Sequence, residues 1–137
     1  MTHYALSLKQ PWATLLAHGH KTIEIRRWPT GRRGPVLIHA ARVPDDRPKA
    51  WVQVPAALQD AARQVGGIVG CGELVECRAY RCAGDFEADC PRHLNDPSWF
   101  EAPVLYGFVF TELQVLPFRP YPGWVRFFRV EEIPVGR

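Results

Sequence analysis

A chain of 137 residues, 47% hydrophobic and 23% charged, has room for a single domain over residues 1–137, with a core large enough to fold without disulfide or metal staples. No apolar run approaches a membrane span, and Lys9 interrupts the first apolar stretch too early for a signal peptide, so a cytoplasmic protein with no membrane partner is expected, and a monomer. The net charge of +3 excludes little, but it is uneven: residues 1–42 carry Lys9, Lys21, Arg26, Arg27, Arg32, Arg33 and Arg42 against the acid Glu24. Fourteen of the seventeen basic residues are arginine, whose planar fork grips phosphate and carboxylate, so the basic N-terminal part suits a polyanion.

In chain order, "YALSLKQ" (4–10) alternates in part and reads as a first strand. Pro11 suits the opening turn of a short helix over 11–18, with Trp12, Leu15 and Leu16 on one apolar face and Gly19 as its stop. "KTIEIRRW" (21–28) reads as a strand with Ile23 and Ile25 on one face and Thr22, Glu24, Arg26 and Trp28 on the other. After the turn "PTGRRG", "PVLIHAA" (35–41) is a buried strand carrying His39. Residues 42–54 read as a loop, and the alanine-rich stretch 55–65 as a helix ended by Gly66 and Gly67. "GIVGCGELVEC" (67–77) is a strand in which Gly70 and Gly72 mark a bulge or a close backbone approach. Residues 83–103 are irregular, with a short helix at 84–90, and two long aromatic-rich strands follow at 105–118 and 124–132. This order lacks the regular alternation of parallel βαβ units. It predicts an α+β fold: a mixed, mostly antiparallel β-barrel with short helices closing its ends.

Cys71, Cys77, Cys82 and Cys90 include no C-x-x-C pair, and Cys82, Cys90 and His93 match no standard zinc spacing. Free thiols, no metal and no cofactor are expected.

"LSLKQPWATLLAHGHKTIEIRRWPTGRRGPVLIHAA" resembles the opening of an ASCH domain, a family similar in fold to the PUA domains of RNA-modifying enzymes. The resemblance is carried by Ser7, Leu8, Pro11, Trp12 and Ala13, then Gly19, Lys21, Glu24 and Arg26, then Arg33, Gly34, Ile38 and Ala40. "GIVGCGELVEC", with Glu73, and "GFVFTEL…P…GWVRFFRVE" resemble the central strand and the closing hairpin.

The resemblance implies a PUA-like barrel with a cleft for RNA or a nucleotide beside helix 11–18 and strand 21–28. Lys21, Glu24, Arg26, Trp12, Trp28 and Arg33 are the candidate ligand-binding residues. Glu24 and Arg26 lie two apart on one strand face, placed either to pair with each other or to share a ligand. A base or ribose offers donors to Glu24, a phosphate suits Lys21 or Arg26, and Trp12 or Trp28 can stack on a base, although Trp12 also belongs to the helix's apolar face. A nucleic-acid-related hydrolase, acting on acetylated nucleosides or on RNA, is the alternative. Lys21, Glu73 and His39 would then be catalytic, but Glu24 stands where the family's amidohydrolases carry their nucleophilic threonine. A protein-interaction adaptor is the third reading.

Overall fold

The computed structural model describes residues 2–131, and one six-stranded sheet organises them. The elements begin with β1 (Thr2–Leu8), α1 (Trp12–Ala17), β2 (Ile23–Arg26), β3 (Gly34–Ala40) and α2 (Pro48–Trp51). They continue with β4 (Gly67–Tyr80), α3 (Ala83–Ala88), α4 (Cys90–His93), β5 (Leu105–Pro120) and β6 (Phe127–Glu131). The strand order is β2-β5-β4-β3-β1-β6. β1 and β3 run parallel and the other neighbours antiparallel, the mixed, mostly antiparallel arrangement expected. The sheet curls into a half-barrel: the Arg26 side chain on edge strand β2 donates to the Ser7 carbonyl of β1 at 2.8 Å, and Trp28 meets Phe127 of β6 at 5.8 Å between ring centroids.

Alternation sorts the strands into two packed faces. Leu6 and Leu8 of β1 and Val36, Ile38 and Ala40 of β3 pack in one core with α1, while Ala5 and Leu37 pack in a second with Ile68, Phe128 and Val130. All six residues of α1 are buried, so this helix plugs the half-barrel instead of lying on its surface. Gly70 lets it dock: a Cβ there would stand 2.6 Å from both the Ala17 Cβ and the Gln114 carbonyl oxygen. The β4–β5 register shifts between Ile68 and Gly70 and again between Cys71 and Glu73, at the glycines read as marking a bulge or a close backbone approach.

Four expectations about elements need correction. Residues 55–65 form two short 3-10 turns, Ala56–Leu58 and Ala61–Arg63. Side chains from the first helical region claim their carbonyls: Gln10 Nε2 donates to Gln64 O at 2.9 Å, and Thr14 Oγ1 donates to Ala61 O at 3.3 Å. Residues 42–54 are less a loop than a structured arm containing α2, with Trp51 Nε1 donating to Asp45 O at 2.6 Å. β2 is only four residues long, so Lys21 and Trp28 flank the strand instead of belonging to it. The last expected strand, 124–132, begins only at Phe127, so Trp124 and Arg126 lie in the connection before it, and Glu132 lies outside the described residues. No helix among those residues is long and apolar enough to cross a membrane.

Candidate functional site

Helix α1 ends at Ala17 with His18 as its cap, and Gly19 takes φ +76°, the left-handed conformation that glycine adopts without strain. The chain then folds back under the helix, with the amides of His20 and Lys21 both donating to Leu15 O, at 2.9 and 3.1 Å. This tether carries Lys21 into the protein, where it is 1% exposed. Its Nζ donates to Glu24 Oε1 at 2.8 Å and lies 4.4 Å from the centre of the Trp12 ring. Glu24, also buried, accepts from Arg26 Nε at Oε2, 3.1 Å away. Both carboxylate oxygens are therefore engaged, and Glu24 holds two cations in place. Burial pulls the Lys21 pKa below its ordinary value, with Glu24 opposing. Burial pushes Glu24 up, but Lys21 and Arg26 more than offset it and hold the carboxyl below its usual range. Of the two arrangements the strand spacing allowed, the ion pair is present.

The arm over residues 42–47 supplies a second buried acid. Asp45 accepts from Trp12 Nε1 at 2.8 Å and from Arg47 Nη2 at 2.6 Å. Burial raises its pKa, yet the hydrogen bonds from Arg47 and Trp12 prevail and lower it to about 2. Arg47 in turn stacks 3.7 Å over Trp99, which packs edge-on against Trp12. Trp12 is thus fixed at its edge by a carboxylate, on one face by an ammonium and against another indole; it is a structural wall more than an open stacking platform.

These groups open onto a cleft of about 520 Å³. Its cationic lining is Lys9, Lys21, Arg26, Arg47 and Arg126, against the two carboxylates Glu24 and Asp45. Trp28 forms another wall, packed edge-on against Phe108 and Phe127, with the Arg126 guanidinium 4.7 Å from its ring centre. Of the residues expected here, Lys21, Glu24, Arg26, Trp12 and Trp28 come together. Arg33 does not: it is exposed, and its Nη1 donates to the carbonyls of Thr30 and Arg32 in its own turn. Asp45, Arg47 and Arg126 were missed: Asp45 and Arg47 lie in the segment that read as a loop, and Arg126 in one that read as part of the last strand, which begins only at Phe127.

Glu73 sits on β4 opposite Pro35 and Thr111 and does not line this cleft. His39 opens onto a different cavity, of about 900 Å³, with Ser7, Arg42, Tyr121 and Trp124. Its Nε2 faces the Tyr121 carbonyl at 2.7 Å and so carries the hydrogen, leaving Nδ1 to accept from Ser7 Oγ at 2.9 Å. Burial lowers its pKa and favours this neutral form, with the Tyr121 bond opposing. Lys21, Glu73 and His39 therefore do not share one pocket. The four cysteines are free. His93, a possible partner of Cys82 and Cys90, has both ring nitrogens engaged, with Phe86 O and the Asn95 amide.

A curled mixed sheet, a buried helix plugging it and a cationic cleft at its edges define a PUA-like α+β domain. Residues 6–118 match the ASCH domain family, and the chain belongs to it. Human activating signal cointegrator 1 is 34% identical over 106 residues, which are 71% of this chain and 18% of that protein. This chain thus corresponds to less than a fifth of that relative's length. The crystal structure of ASCH from Zymomonas mobilis superposes with a TM-score of 0.63 at 16% identity, covering 86% of this chain and 73% of that one. A crystal structure of a mutant form of the same Zymomonas mobilis protein gives 0.62 over the same shares, also at 16% identity. At that identity the likeness is one of fold.

Proposed function

We propose that this chain binds RNA or a nucleotide in the cleft between α1, β2 and the 121–126 connection. The observation that carries the reading is the excess of three positive charges in a cleft walled by tryptophans. Its volume is within the range of small-ligand sites. Lys9 and Arg126 are exposed and available to phosphate, and Arg126, lying over Trp28, offers a guanidinium plane on which a base can stack. Lys21, buried over the Trp12 ring and bonded to Glu24, contributes its charge at the cleft wall. Buried carboxylates that fix cations keep the geometry rigid, which suits recognition.

The test is a titration with single-stranded RNA between 50 and 200 mM salt. Neutralising about three phosphates should cost roughly 15–20-fold in affinity across that range, because bound counterions are released. Affinity that holds constant across the range points to a neutral ligand, and absence of RNA or nucleotide binding at low salt favours the adaptor reading.

One observation favours the hydrolase alternative. Burial lowers the Lys21 pKa, and a lysine that gives up its proton can act as a base. The separation of Lys21 from His39 and Glu73, and the engagement of Glu24 where a nucleophile would stand, speak against it. Incubation with N4-acetylcytidine, followed by mass spectrometry, decides: turnover that disappears in Lys21→Ala establishes the enzyme.

A further inference from the structure

The cavity at His39 is not used by the reading above. It meets the cationic cleft at Ser7, Ala41, Trp124 and Val125, which line both. Trp124 is 65% exposed and Val125 88% exposed, so the rim between the two cavities is an apolar ridge in water. The Trp124 indole packs on no other ring among the described residues. An indole left bare beside a cationic cleft offers a free stacking face.

The ridge is also held in place. Nε2 of buried His39 anchors the Tyr121 carbonyl, and Gly123 lies directly on the imidazole, where a Cβ would come within 2.5 Å of its Cε1. The connection that carries Trp124 therefore approaches β3 as only glycine permits. Arg42, exposed, lines the second cavity and not the first. An aromatic face, an adjoining cation and continuity with a cationic cleft together match the repeat of a single strand, base then phosphate.

Building on the nucleotide reading, we infer that the second cavity takes the neighbouring nucleotide of a single-stranded oligonucleotide, with Trp124 stacking on its base and Arg42 meeting its phosphate. The natural ligand is then at least a dinucleotide, not a free nucleoside. Trp124 and Arg42 are its specificity residues for length.

The experiment compares the four 5′-ribonucleoside monophosphates with the four homodinucleotides carrying a 5′-phosphate, by calorimetry, on wild type, Arg42→Ala, Trp124→Ala and Trp124→Phe. Wild type should bind at least one dinucleotide about tenfold or more tighter than its mononucleotide, in line with the energy of one stacked base. Trp124→Ala should erase that gain and Trp124→Phe keep most of it. Arg42→Ala should weaken the dinucleotide about fivefold and leave the mononucleotide unchanged. Equal affinities for the two lengths in wild type, or a gain that survives both Arg42→Ala and Trp124→Ala, overturns the second subsite alone. A Trp124→Ala variant that loses mononucleotide and dinucleotide affinity equally places the indole in the first cleft and likewise overturns it. If neither length binds, the nucleotide reading itself fails, and this inference with it.

Discussion

Replacing Glu24 with glutamine keeps the shape of the side chain and removes the charge that holds Lys21 and Arg26. Arg26 is partly exposed and can turn to water, but Lys21 is 1% exposed and cannot. Breaking a buried pair by removing one partner typically costs about 3–5 kcal/mol, because the other charge is stranded. An independent bound comes from Lys21 itself, which can escape by losing its proton. From an ordinary lysine pKa that costs about 4–5 kcal/mol at pH 7, so the loss cannot much exceed this. At about 4 °C per kcal/mol for a domain of this size, Glu24→Gln should melt roughly 12–20 °C below wild type. The sign of the pH dependence follows. A folded lysine pKa below the unfolded one means the unfolded chain binds more protons, so stability rises with pH. In the variant the depression deepens, and the deficit relative to wild type should shrink between pH 7 and 9.5, by up to about 1.4 kcal/mol per pH unit. Thermal and urea unfolding of both proteins at the two pH values measures this. A variant that melts within about 2 °C of wild type, with the same pH dependence, refutes the claim that Glu24 holds a buried charge.

Three other outcomes are expected. Asp45, whose folded pKa of about 2 lies below the ordinary carboxylate value, contributes stability that is complete above about pH 5 and is lost as pH falls through 4 toward 2. Because Arg47 is half exposed, that contribution should be roughly 1–2 kcal/mol, and Asp45→Asn should flatten this part of the acid-unfolding curve. Gly70→Ala should destabilise by roughly 2 kcal/mol or more in urea melts, since the new methyl meets Ala17 and the Gln114 carbonyl. Thiol titration of the unfolded chain without reductant should count four free cysteines, and elemental analysis should find no stoichiometric zinc.

The strands and the plugging helix were legible because their burial follows simple periods: Leu6 and Leu8 alternate on β1, and Trp12, Leu15 and Leu16 repeat at helical spacing. Lys21, Glu24 and Arg26 were legible because charge on a short β-prone segment is unusual and fits a known family pattern. The arm carrying Asp45 and Arg47 was not, since its structure depends on contacts with Trp12 and Trp99 far away in the chain. The alanine-rich stretch 55–65 misled for a related reason: Gln10 and Thr14 take carbonyls that a local reading assigns to a helix. Trp124 and Arg126 read as the start of the last strand, but β6 begins only at Phe127, and both residues line the cleft beside β2.

The claim that the cleft is the RNA- or nucleotide-binding site is tested most directly by following the five indole N–H signals by NMR while single-stranded RNA is added. Trp12, Trp28 and Trp124 line the cleft, whereas Trp51, which donates to the Asp45 carbonyl, does not and serves as the internal control. The account predicts that the Trp12, Trp28 and Trp124 signals move together and saturate while Trp51 moves least. Saturable binding that leaves those three signals in place would contradict it.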